Sequence, residues 1–93
     1  MSRFMTRVEL HYADNDDYTK LHAAMAREGF SRTIVSNEGA AYHLPTAEYH
    51  TQGYVTLSDV LQSAKRAAST TGCGFGVIVS EFSNSTWSGL PQA

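Results

Sequence analysis

Histidine, arginine and tyrosine recur along this sequence in the combination that metal-independent cleavage of RNA requires. Such a reaction needs a base for the 2′-hydroxyl proton, an acid for the departing 5′-oxygen and a cation to steady the phosphorane. Histidine titrates near neutrality and serves in either proton role. Arginine binds phosphate through a planar fork. Tyrosine stacks on an unpaired base or donates its hydroxyl. The carriers are Arg7 and His11, then His22 and Arg27, then Arg32, and finally Tyr42, His43, Tyr49 and His50 on either side of Pro45. Taken singly, each also reads as a residue of a solvated face or a hydrogen-bonded boundary residue. His22 borders the apolar stripe of Tyr18, Leu21 and Met25, which suits a structural role.

Other chemistries find less support. There is no P-loop, no dinucleotide glycine fingerprint and no HExxH. A metal site can be drawn from His43, Glu48 and His50, but the spacing matches no ligand signature. Asp14, Asp16 and Asp17 lack the later Glu of a calcium loop and read as helix-capping residues. The lone Cys73, between Gly72 and Gly74, supports neither an internal disulfide nor a multi-cysteine zinc site. No metal and no cofactor is therefore expected. The formal net charge of −2 argues against broad, sequence-blind binding to nucleic acid. A local basic patch from Arg3, Arg7, Arg27, Arg32, Lys65 and Arg66 stays open. No apolar run approaches the ~20 residues of a membrane span, and Met1 to Met5 lack the apolar stretch of a secretory signal. A cytoplasmic location is expected.

These side chains must be positioned by a small scaffold. With 93 residues there is room for one domain, residues 1–93, and one core. So short a chain buries its surface only marginally, which makes a homodimer a reasonable expectation. Phe4, Thr6, Val8, Leu10 and Tyr12 alternate with Met5, Arg7, Glu9 and His11, the period of a strand with one buried face. A capping run from Ala13 to Asp17 precedes Tyr18, Leu21, Ala24 and Met25 at helical spacing, and Gly29 ends that helix. Phe30 to Ser36 reads as a second strand. Asn37-Glu38-Gly39 is a turn, and Ala40 to Leu44 a third strand. Pro45 must interrupt the ladder, so a kink or bulge is expected there, with extended structure resuming from about Ala47 to Thr51. Thr56 and Asp59 have capping-box spacing ahead of the stripe Leu57, Val60, Leu61, Ala64, Ala67 and Ala68. Phe75 to Phe82 is the final strand. The tail, residues 83–93, holds Trp87, which either folds back on the domain or packs against a second copy.

Strand–helix–strand–strand–helix–strand is the ferredoxin-like βαββαβ pattern, an α+β sandwich with two helices on one face of a four-stranded antiparallel sheet. In that arrangement the other face is free for a ligand, RNA or a second subunit, with Arg7, Glu9 and His11 in its middle.

From Val8 to Phe82 the chain resembles the GhoS family of small antitoxins from type V toxin–antitoxin systems. The resemblance is carried by Gly29 to Val35, by the Glu38-Gly39 turn and by Leu44 to Tyr49. Leu44 to Tyr49 and the Trp87 to Leu90 tail also resemble small proteins grouped with that family, many of them on phages and mobile elements. The resemblance implies a ferredoxin-like fold and a metal-independent endoribonuclease acting on single-stranded RNA, such as a toxin's messenger. It places Tyr49 to stack a base, Arg27 or Arg32 to hold phosphate, and His22, His43 or His50 to move protons. His22 stands where the family carries Arg. The mild negative charge and Trp87 fit another reading, a non-enzymatic module that docks on a protein partner, and a third is a structural homodimer built on the open sheet face or an edge strand.

Overall fold

The computed structural model describes all of residues 1–93. In chain order the elements are β1 (Ser2–Leu10), α1 (Asn15–Arg27), β2 (Thr33–Val35), β3 (Ala41–His43), β4 (Glu48–Gly53), α2 (Leu57–Ser69) and β5 (Phe75–Phe82). The main sheet has three strands in the order β4-β1-β5, antiparallel at both junctions.

The alternation in β1 is realised as expected. Phe4, Thr6, Val8 and Leu10 are buried, while Arg7 and Glu9 on the opposite face are exposed. The strand stops at Leu10 and does not reach Tyr12. Tyr12 has φ 53° and is fully exposed, so it belongs to the turn into α1. Both helices start with reciprocal caps. The Asp17 N–H donates to the Asp14 carboxylate at 2.9 Å, and the Asp14 N–H donates to Asp17 at 3.1 Å. Thr56 and Asp59 do the same for α2. Each pair satisfies two of the donors a helix start leaves free. The capping bond also holds the Asp17 carboxyl below the usual carboxylate range. Gly29, at φ 91°, lets the chain leave α1, and the Phe30 N–H closes back on the Met25 carbonyl at 3.0 Å.

One core lies between the sheet and the helices. It joins Phe4, Val8 and Leu10 of β1 and Tyr49 of β4 to Leu21, Ala24 and Met25 of α1 and Val60, Ala64, Ala67 and Ala68 of α2. The alanines of α2 allow the helix to approach the sheet closely, which suits a core with few large side chains.

The expected four-stranded ferredoxin-like sheet is not formed. β2 pairs with β3 in a separate two-stranded arm, from Thr33↔His43 to Val35↔Ala41. The main sheet receives from this region only a single bridge, Ser31↔His50, with both N–H···O bonds at 2.8 Å. The physical cause lies at Pro45. Proline has no N–H for a ladder, and the chain makes a tight turn there, closed by the Glu48 N–H on the Pro45 carbonyl at 3.1 Å. Ala47 takes φ 73° within this turn. What was expected as one kinked strand is therefore two strands in two sheets. The arm is extended by the tail: the His43 N–H donates to the Pro91 carbonyl and the Ala93 N–H to the Ala41 carbonyl, both at 2.9 Å. Trp87 accordingly folds back, with its ring 5.5 Å from that of Tyr42.

Candidate functional site

The three candidate histidines occupy three different places. His22 sits on α1, on the helix-covered side of the sheet. His50 sits on β4 and faces the other side, as its register partners Met5 and, through β1, Ser80 do. His43 is exposed on β3, opposite Thr33 at the end of the arm nearer the main sheet. No three of the His, Cys, Asp and Glu side chains gather as metal ligands, so His43, Glu48 and His50 do not converge. Glu48 instead pairs with Arg7 at 3.3 Å on the open face. Arg27 is exposed in the last turn of α1.

His22 and Tyr49 do come together, and the charge of Arg32 is felt at both. Tyr49 projects from β4 into the core, where its ring is fully buried and packs edge-on to Phe30 at 6.4 Å. It offers no free face on which a base could stack, which corrects the expectation for this residue. Its hydroxyl lies 2.6 Å from Nδ1 of His22. Burial pushes the Tyr49 pKa up to about 12, so the hydroxyl keeps its proton at neutral pH. The only acceptor it finds is Nδ1, and an unmade bond for a buried hydroxyl is costly. The Tyr49 hydroxyl therefore donates to Nδ1, and His22 carries its own proton on Nε2. That nitrogen has no partner within the protein and is not among the buried unpartnered atoms, so it meets solvent. Burial, and secondarily the charge of Arg32, hold the His22 pKa below its ordinary value. The arrangement presents a neutral N–H donor within range of the Arg32 charge. It suits holding an anion better than abstracting a proton, because the nitrogen that would act as base is already protonated.

The opposite face carries a second group that sequence reasoning does not single out. Arg3 lies over the ring of Phe82, with its guanidinium carbon 4.6 Å from the ring centroid, a favourable cation–π geometry. His50 packs edge-on to the same ring at 5.9 Å. Its Nε2 is buried without a partner, and burial followed by the Arg3 charge lowers its pKa. Arg3 borders two shallow hollows, of about 330 and 490 Å³. The larger is lined by polar groups of Ser31, Thr33, Asn37 and Gln52 along with His50. The only signal for this group lies in the register, since Arg3, Phe82 and Gln52 become neighbours once β1 pairs with both flanking strands. No helix is long and apolar enough to cross a membrane. No protein-family model matches the sequence, and no curated protein matches it closely enough to count as a relative.

Proposed function

We propose that this chain is a small single-stranded-RNA-binding protein of the GhoS type, one that grips the phosphate backbone and does not need to cleave it. One observation carries the reading: the short Tyr49–His22 bond fixes the imidazole so that its Nε2–H faces solvent, within range of the Arg32 charge. A neutral donor and an exposed guanidinium that can swing toward the same anion suit a phosphate. The placement of His22 and His50 on opposite sides of the sheet speaks against these two acting as an acid–base pair, because both proton-transfer groups must reach the same phosphodiester.

Fluorescence anisotropy with a labelled single-stranded RNA tests this directly. Binding at low salt that weakens steeply as salt rises is expected. Arg32→Ala should weaken it about tenfold, a loss of roughly 1.4 kcal/mol. A gel of the same RNA in EDTA should show it intact. Absence of binding at low salt would remove the proposal. Cleavage that His22→Ala abolishes would replace it with the enzymatic reading. A second reading, docking on a protein partner, draws on the loop between β4 and α2 and the first residue of α2, where Tyr54, Val55 and Leu57 are all exposed. Its signature is binding to a protein that Tyr54→Ser removes while RNA affinity stays absent.

A further inference from the structure

The strand β5 has a partner on one side only. It pairs with β1 from Arg3↔Phe82 to Leu10↔Phe75, and nothing pairs with its outer edge. The direction of its backbone groups follows from one bond beyond that ladder. The His11 N–H donates to the Gly74 carbonyl at 2.7 Å. Hydrogen-bonded and non-hydrogen-bonded pairs alternate along an antiparallel ladder. Gly76, Ile78, Ser80 and Phe82 therefore bond to β1, while Phe75, Val77, Val79 and Glu81 turn their N–H and C=O groups outward. The same rule holds on the other side of β1. There the Val8 N–H bonds to Ala47 at 3.0 Å, so His50 must face away from β1, and it does, bonding to Ser31.

Free edges of this length normally carry a lysine, a proline, a bulge or a covering loop. The sequence of β5, FGVIVSEF, has none of the protecting residues, and its single charge is Glu81. Ile78, near its middle, is 64% exposed on the face away from the helices.

We propose that β5 is a dimerisation edge and that its partner is a second copy of this chain, paired antiparallel about a two-fold axis at Ile78. In that register Val77 opposes Val79 of the second copy, and Phe75 opposes Glu81. Every outward-facing residue then exchanges bonds with another outward-facing residue, and two three-stranded sheets become one continuous sheet. The Ile78 side chains meet in a non-hydrogen-bonded pair, where the Cα atoms approach to about 4.5 Å and side chains lie closest. The charges are compatible as well. The two Glu81 carboxylates sit six strand positions apart, about 20 Å, so the register that satisfies the most bonds also keeps like charges separate.

Sedimentation equilibrium and amide hydrogen exchange on the whole chain test the proposal together. A concentration-dependent dimer is expected. As it forms, the amides of Phe75, Val77, Val79 and Glu81 should gain protection, while those of Gly76, Ile78 and Ser80 are protected at every concentration. Val79→Pro removes an outward donor that the protomer does not use, and Ile78→Lys places a charge against its own copy on the axis. Each should weaken association at least tenfold with an unchanged circular dichroism spectrum. Should Val79→Pro fail to fold, Ile78→Lys decides, since that side chain is exposed. A chain that stays monomeric at about 1 mM, or a dimer in which the four outward amides exchange freely, overturns the proposal.

Discussion

Tyr49 and His50 are neighbours in β4, yet they meet opposite environments. Tyr49 points into the core and has a hydrogen-bond partner at 2.6 Å. His50 points to the other face and keeps a buried ring nitrogen with no partner. Each is tied to an aromatic, Tyr49 to Phe30 and His50 to Phe82. The difference shows what a polar group contributes inside so small a protein. Paired, it joins α1 to β4 across the core. Unpaired, it is a cost held in place by its surroundings. A residue with that cost stands beside Arg3 and a polar hollow, and costs of this kind are retained most often near sites of function.

The comparison can be broken most forcefully at Tyr49. Tyr49→Ala empties a fully buried ring and should cost about 3–5 kcal/mol in denaturant unfolding. A smaller change isolates the hydroxyl. Tyr49→Phe should cost about 1–2 kcal/mol, and NMR should show His22 losing its single Nε2–H tautomer. His50→Leu should behave oppositely, leaving stability unchanged or raising it by up to about 1 kcal/mol, because it deletes the orphaned nitrogen and keeps the apolar contact with Phe82. A loss of more than that would mean that His50 has a partner in solution.

Acidity sharpens the same contrast. Both imidazoles titrate below the ordinary value in the folded chain. The unfolded chain therefore binds more protons as pH falls. Stability should be fully present above about 6.5 and be lost as the pH drops toward the folded values. Urea midpoints from pH 7.5 down to 5 would show the decline. His22→Gln and His50→Gln should each flatten it, and a wild-type profile that is flat or rises on acidification would contradict the depressed values. The smallest expected effect lies in the turn that decides which of the two residues faces inward. Ala47→Gly relieves a left-handed backbone and should stabilise by less than about 1 kcal/mol, the lost methyl contact offsetting part of the gain.

Much of the scaffold is legible in the sequence because local rules govern it. Alternation from Phe4 to Leu10 states which face of β1 is buried, and Asp14/Asp17 and Thr56/Asp59 mark both helix starts. The sheet count fails because β propensity at Thr33-Ile34-Val35 says that a strand forms but not which strand it joins. The left-handed Ala47 is equally hidden, since alanine carries no preference for that conformation. Its turn resets the parity of everything after it, and a shift of one residue exchanges the two faces of a strand. The family resemblance makes Tyr49 a stacking platform, and the parity that follows this turn makes it a core residue. The His22–Tyr49 bond links α1 to a strand far along the chain, beyond the reach of any local signal. Arg32 is legible as a cation, but the groups it influences are not.

The tail strand has a consequence for the order of folding. The arm is completed only when Pro91 and Ala93 bond to His43 and Ala41, contacts that span more than half the chain. Closing so long a loop delays contact formation, whereas the β2–β3 turn and both capped helices assemble locally. The arm should therefore be the last part to lock during folding and the first to open under mild denaturant. The hollow beside Arg3, walled on one side by the tail segment from Ser83 to Trp87, would open with it, while the Tyr49 core stays closed.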